Sequence, residues 1–281
     1  MPEISLELAR DIARAVEQAL AEDIGSGDLT ATLVPEHGHS RARVLARDNA
    51  ILCGIAWADE VFRRLDARIE IDWTFADGDA IEPADIVCTV AGPSRPLLTG
   101  ERTALNFLQL LSGTATSTHA YVSAVAGTPA RILDTRKTIP GLRLAQKYAV
   151  RCGGGSNHRV GLCDAVLIKE NHIAAAGGIV KAIERARERV PHVMKIEVET
   201  QDLKEVGLAL EAGADIILLD NMDLPTLREA VELVDGRALT EASGGVNLET
   251  VRDIAETGVD FISVGALTHS YRAMDISMLF R

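Results

Sequence analysis

Between positions 131 and 169 the chain carries eight Lys/Arg and only two acids, inside a protein whose formal net charge is −12. Within that basic island, Arg136, Lys137, His158, Arg159 and Lys169 come from three separate stretches, TRK, NHR and LIK. Cations brought together repel one another, so a site built from them is completed by an anion. A charge-assisted hydrogen bond contributes roughly 1.5–3 kcal/mol, and an arginine can make two in parallel. A compact basic island in an acidic chain points to a small, highly anionic ligand, because nucleic acid is met by broad basic surfaces. Arg143, Lys147 and Arg151 recur at helical spacing and read as a solvated basic face.

Two acids form a second group. Glu199 ends the run KIEVE and Asp220 ends DIILLD, so strands in those two places would set the carboxylates side by side. With no His or Cys beside them, the ion expected there is hard, Mg²⁺ entering with a polyphosphate. A general acid–base pair is the other reading. Glu197, two residues earlier, points the same way from its strand and competes for the same role, or serves as an interior partner of Lys169. Ser243-Gly244-Gly245 and Gly265-Ala266 supply backbone N–H groups that can approach a phosphate closely. Gly153, Gly154 and Gly155 sit in the middle of the basic island. Gly25-Ser26-Gly27 follows no strand, so it is not a dinucleotide fingerprint, and there is no Walker A pattern. His37, His39, His119 and His192 have no evident partners and read as surface or packing residues.

The elements that must hold these residues are legible in the second half. Aliphatic runs occur at 131–135, 165–169, 195–199, 215–220, 238–243 and 261–265, and helical patterns at 201–213, 223–235 and 248–257 end at Gly213, Gly236 and Gly258. Apolar strands alternating with amphipathic helices predict a parallel sheet covered by helices. Six such units predict a TIM-like α/β barrel, complete or nearly so, and the polar residues fall at the strands' C-terminal ends, where barrel active sites lie. The first half differs. A helix at 5–21, extended segments near 41–52, 68–75 and 84–91, a helix near 56–65 and another at 101–112 predict a separate α+β open-faced sandwich. The expected division is 1–113 for the sandwich and 114–269 for the barrel. A hairpin-like DGDAIEP turn suggests a lipoyl carrier, but it holds no lysine.

Composition is that of a soluble globular protein: 281 residues, 47% hydrophobic and 25% charged, with 4% aromatics, too few for base-stacking platforms. The acidic balance argues against duplex and anionic-membrane binding. The N-terminus lacks a basic segment followed by an apolar one, and no run approaches a membrane span. The expected location is cytoplasmic, with Cys53, Cys88, Cys152 and Cys163 as reduced thiols.

TRKTIPGLR, GGGSNHR, LIKENH, EVE, ILLDN, SGG and VGALTHS, together with EDIGSGDLT and ERTALNFLQLLSG, stand in the order and spacing of one family. Over nearly its whole length the chain resembles quinolinate phosphoribosyltransferase, the carboxylating nicotinate-nucleotide pyrophosphorylase of NAD biosynthesis. The resemblance implies transfer of phosphoribosyl from phosphoribosyl pyrophosphate to quinolinate, with release of pyrophosphate and CO₂ and formation of nicotinate mononucleotide. It implies that Arg102, Arg136, His158, Arg159 and Lys169 hold quinolinate. Thr135, Lys137, Glu199, Asp220, Ser243, Gly244, Gly245, Val264, Gly265 and Ala266 would hold phosphoribosyl pyrophosphate. Lys169, Glu199 and Asp220 are the implied catalytic residues, with Mg²⁺ at Glu199 and Asp220. It further implies a homodimer in which Arg102 enters the neighbouring site, with assembly into hexamers open, and a tail, 270–281, that returns to the first domain.

Three other readings remain. A strand-end Lys169 beside Arg136 and Lys137 could form a Schiff base in an aldolase or lyase, but that leaves GGGSNHR without a role. A related pyrophosphorylase could act on another base, against which ERTALN and KENH stand. A non-catalytic anion-binding protein would have no use for the Glu199–Asp220 pair.

Overall fold

The computed structural model describes residues 2–280. In chain order the first half runs α1 (Leu6–Ile24), β1 (His39–Ala46), β2 (Ala50–Ile51), α2 (Ile55–Leu65), β3 (Glu70–Trp73), β4 (Ala80–Ile81), β5 (Ile86–Pro93) and α3 (Ser94–Ala124). The second half begins with β6 (Arg131–Leu133), α4 (Arg143–Cys152), β7 (Val166–Ile168), α5 (Glu170–Ala176), α6 (Ile179–Arg189), β8 (Ile196–Thr200) and α7 (Leu203–Glu211). It ends with β9 (Ile216–Asp220), α8 (Leu224–Val234), β10 (Leu239–Ser243), α9 (Val251–Ala255), β11 (Phe261–Ser263), α10 (Ala266–His269) and β12 (Ile276–Phe280).

Two compact units result. One comprises residues up to 119, 138–154 and from 267 onward; the other comprises 120–137 and 155–266. The expected boundary at 113 falls inside α3, which is 31 residues long where a helix over 101–112 was expected.

The first unit is a four-stranded antiparallel sheet in the order β12-β1-β5-β3, packed against helices. α1 starts where the Ser5 hydroxyl accepts the Leu8 N–H, and it buries Leu8, Ile12, Ala15, Val16 and Leu20, a stripe at helical spacing. β12 pairs with β1 from Ala42–Phe280 to Ala46–Ile276; of the tail expected over 270–281, Arg281 lies outside the described residues. The 138–154 segment joins this unit for two physical reasons. Tyr148 lies 5.5 Å centroid to centroid from the fully buried Trp57, and its hydroxyl donates to Asp77 Oδ2 at 2.9 Å. Gly153 meets the Ala115 carbonyl so closely that a Cβ would collide with it. At least the first glycine of the triplet is therefore a packing residue.

The burial of Lys147, 2% exposed, overturns the reading of 143–151 as a uniformly solvated face; Arg151 is exposed as expected. Spacing alone does not reveal which side of a helix meets the core.

The second unit is a six-stranded parallel sheet in the order β6-β11-β10-β9-β8-β7. Two of its helices start at side-chain caps: Asp202 accepts the Glu205 N–H for α7, and Asp223 the Thr226 N–H for α8, with Pro225 in the first turn. Side chains alternate across a strand. Val198, Ile217, Leu219, Ala242 and Ile262 are buried, 2% exposed or less, on one face. Glu197, Glu199, Asp220, Glu241 and Ser243 share the other.

Candidate active site

The six strands end where the chemistry was expected, and their register decides which residues meet. Leu167 of β7 pairs with Glu197 of β8, so Lys169 stands level with Glu199. Lys169 Nζ lies 2.9 Å from Glu199 Oε2, with the lysine half exposed and the glutamate 14% exposed. Glu197 is one step deeper and meets a different partner, so the expectation that it might serve Lys169 from the interior is overturned. Glu199 is paired across to Leu218 of β9, which places Asp220 on the same face, one side-chain step further toward the mouth. Asp220 Oδ2 accepts the Asn221 amide at 2.8 Å.

The TRK and NHR stretches are brought together by backbone bonds. Ser156 N–H donates to Ile132 O at 2.8 Å and Asp134 N–H to Ser156 O at 3.2 Å, so the segment after the glycines runs along the edge of β6. Asp134, fully buried, accepts the His158 N–H at 2.9 Å and the Asn157 amide at 2.6 Å, which pins that segment. Arg159 is half-buried. Burial first, and the neighbouring Arg136 charge second, push its guanidinium below the ordinary arginine value, against the opposing effect of Glu197 and Asp164. Two guanidiniums close enough to disturb one another make a pocket for a dianion. Asp164 accepts the Val160 and Gly161 N–H groups at 2.6 and 2.8 Å and so shapes the loop after Arg159. Lys137 is exposed, and its N–H donates to Thr135 Oγ1 at 3.0 Å. Arg102 is exposed on α3, in the first unit.

The glycine loops take the expected strand-end positions. Gly244 and Gly245 both have positive φ, +100° and +61°. Asn221, itself at φ +55°, donates its N–H to Ser243 O at 2.8 Å, and its Oδ1 occupies the space a Cβ on Gly244 would need. Only glycine fits there. Val264 N–H donates to Leu133 O at 2.9 Å, holding the Val264-Gly265-Ala266 turn against β6.

Glu241 was not anticipated. It lies on β10 two residues before Ser243, 2% exposed on its side chain, with Oε2 3.7 Å from His158 Nε2; Glu197 Oε2 is 3.0 Å from the same nitrogen. Burial, then the Glu197 charge, push the Glu241 carboxyl up to about 8. The signal was present in ALTEAS: an acid in the middle of an otherwise uncharged strand. His172 was also overlooked; its Nδ1 accepts the Lys169 N–H at 3.0 Å and so fixes the start of α5.

Residues 28–112 match the N-terminal domain, and 114–279 the C-terminal domain, of quinolinate phosphoribosyl transferase. A probable carboxylating nicotinate-nucleotide pyrophosphorylase of Synechocystis sp. is 45% identical over 266 residues, covering 94% of this chain and 90% of that protein. One from Bacillus subtilis is 43% identical over 92% of this chain and 89% of its own length. The solved nicotinate-nucleotide pyrophosphorylase of Francisella tularensis superposes with a TM-score of 0.96 at 44% identity, over 100% of both chains. With both domains matched and the cationic, acidic and glycine segments gathered at one set of strand ends, the chain belongs to the quinolinate phosphoribosyltransferase family.

Proposed function

We propose that this chain transfers phosphoribosyl from phosphoribosyl pyrophosphate to quinolinate with decarboxylation, giving nicotinate mononucleotide, pyrophosphate and CO₂. The observation that carries this reading is that both family domains match and that the segment bearing the half-buried Arg159 runs along the edge of β6, just beyond whose end stands Arg136. Such a pair suits a compact dicarboxylate. Six parallel strands that deliver these groups at one end are read as the wall of an incomplete TIM-like barrel, over 114–269, in a chain that also carries a sandwich domain over 1–113 and 270–281.

Arg136, Arg159 and Lys169 hold the quinolinate carboxylates, joined by Arg102 of a second copy in a homodimer. Thr135, Lys137 and the turns at 243–245 and 264–266 hold the phosphates. Glu199 and Asp220 orient the ribose hydroxyls. They also suit Mg²⁺: two carboxylates on adjacent strands, at one mouth, offer hard oxygen donors and leave further positions to phosphate and water. Bound there with the substrate, Mg²⁺ would neutralise the developing pyrophosphate charge. The quinolinate nitrogen forms a bond to the ribose C1 as the bond to pyrophosphate breaks, and carboxylates beside the ring stabilise the positive charge that develops. The C2–carboxylate bond then breaks, its electron pair staying on C2 beside the pyridinium nitrogen until a proton replaces CO₂. The substrate is its own electron sink, so no organic cofactor is needed. A cytoplasmic location fits, since among the described residues no helix is long and apolar enough to cross a membrane.

The deciding experiment follows CO₂ and nicotinate mononucleotide together, with quinolinate, phosphoribosyl pyrophosphate and Mg²⁺. Equal formation of both, abolished by chelation, is expected. Consumption of the donor with nicotinate alone would move the base pocket to another substrate. Failure to bind the donor would overturn the assignment, and borohydride trapping on Lys169 would then test the Schiff-base reading.

A further inference from the structure

Two of the cysteines meet inside the first unit. Cys53 immediately precedes Gly54, the residue at which α2 starts, and Cys152 is the last residue of α4. Their Sγ atoms and an Asp77 carboxylate oxygen all lie within 4.8 Å of one another, and the two thiols are in hydrogen-bonding contact. The fold holds both sulfurs in place from distant parts of the sequence. The Cys53 N–H donates to Ser112 Oγ at 2.9 Å, and the Ser112 hydroxyl donates to the Cys53 carbonyl at 3.1 Å. Cys152 is fixed on either side. One turn earlier Tyr148 packs its ring on Trp57 of α2, and one residue later Gly153 sits against the Ala115 carbonyl.

The two sulfurs differ in access. Cys53 is fully buried, whereas Cys152 is partly exposed. Burial first, then the contact with Cys152 and the Asp77 charge, push the Cys53 thiol well above its ordinary value, so it keeps its proton. Both Asp77 oxygens are already committed. Oδ1 accepts the Gly54 and Ile55 N–H groups at 2.9 and 3.2 Å, and Oδ2 accepts the Tyr148 hydroxyl at 2.9 Å. That leaves two sulfurs, enough for a bond to one another but short of the four ligands of a thiophilic cation such as Zn²⁺.

We propose that Cys53 and Cys152 are a reversible dithiol–disulfide pair, oxidised by hydroperoxides, that staples α4 to α2 within the first unit. The accessible Cys152 sulfur attacks a peroxide oxygen. The O–O bond breaks, Cys152 becomes a sulfenic acid, and its proton leaves with the departing hydroxide as water. The Cys53 sulfur then attacks the Cys152 sulfur. The S–S bond forms as the S–O bond breaks, and the hydroxide leaves with the Cys53 proton as a second water. Two thiols are oxidised and one peroxide is reduced. The product is neutral, which suits a dry site better than a thiolate does. Reduction is slow for the same reason: a reductant reaches Cys152, and the leaving group is then the buried Cys53 sulfur, whose thiolate is disfavoured. The staple ties down residues 138–154, the segment that in sequence separates TRK from NHR. None of this depends on which substrate the protein uses.

The test treats the reduced, full-length protein with hydrogen peroxide, blocks the remaining thiols in denaturant and digests with trypsin. Cys53 and Cys152 fall in the peptides 48–63 and 152–159. These should be recovered joined, lighter by two hydrogens than their sum, and should separate on treatment with dithiothreitol. The melting midpoint of the oxidised protein should rise by roughly 5–10 °C over the reduced one. Cys152→Ser, which replaces a partly exposed sulfur with oxygen, should show neither the joined peptides nor the rise. Separate, blocked peptides at a peroxide level that oxidises the exposed Cys163 would overturn the pair. So would either cysteine joined to another one. No rise in the native protein, or an equal rise in Cys152→Ser, would overturn the staple. One equivalent of Zn²⁺ retained by the reduced protein and lost in Cys152→Ser would replace the disulfide with a metal site.

Discussion

Lys169 Nζ and Glu199 Oε2 lie 2.9 Å apart because β7 and β8 are in register one residue pair below them. The lysine that is read as a substrate ligand thus already has a carboxylate partner, and the carboxylate that is read as a ribose and Mg²⁺ ligand already has a cation. On that proposed reading, substrate binding would require the two to exchange partners. A half-exposed pair of this kind contributes little to stability, so the exchange costs little.

Lys169→Ala should raise the quinolinate KM and lower turnover, by roughly 10- to 100-fold in kcat/KM for a lost charge-assisted contact. Steady-state kinetics of Lys169→Ala, Glu199→Gln and the double variant check this. If the lysine served only to hold Glu199, the double variant would be no worse than Glu199→Gln alone.

Gly244→Ala should weaken phosphoribosyl pyrophosphate more than quinolinate. The new methyl group meets Asn221 Oδ1, and the positive φ is strained for alanine, so about 1–3 kcal/mol of local strain is expected. The KM values for the two substrates, measured separately, distinguish a distorted phosphate loop from a general loss of fold.

Tyr148→Phe should destabilise the first unit without touching the mouth. It removes the hydroxyl that donates to Asp77 Oδ2 at 2.9 Å and leaves a buried carboxyl with one donor fewer. A cost of about 1–3 kcal/mol is expected from the urea midpoint, with KM values unchanged. Asp77 keeps the Gly54 and Ile55 N–H donors that start α2, so the fold should survive.

Glu241 should make stability fall with pH. Its folded-state carboxyl is raised from 4.5 to about 8, so the native chain binds the extra proton between those values. The contribution is whole below about 4.5, declines as pH rises toward 8 and is gone above it. Melting temperatures of the native protein and Glu241→Gln across pH 5 to 9 check the sign: the variant should gain on the native protein steadily up to about pH 8. A constant difference would show that Glu241 does not titrate in the folded chain.

The parallel sheet, the basic segments and the strand-end acids were legible in the residues themselves, because apolar runs of strand length, glycine stops and side-chain period are local properties. The family was legible for the same reason, since its motifs are short and nearly contiguous. Three things were not. The pairing of Lys169 with Glu199 rather than Glu197 depends on register, which is a relation between two strands 30 residues apart and is set by packing along both. The burial of Lys147 and the packing role of Gly153 depend on how α4 and the glycine after it pack within the first unit, which helical spacing does not determine. The His158–Glu197–Glu241 cluster draws on a loop and two strands, with 83 positions of sequence between its first and last member. Each residue alone reads as ordinary, and only their convergence inside one sheet face removes the water that would otherwise leave Glu241 an ordinary carboxylate.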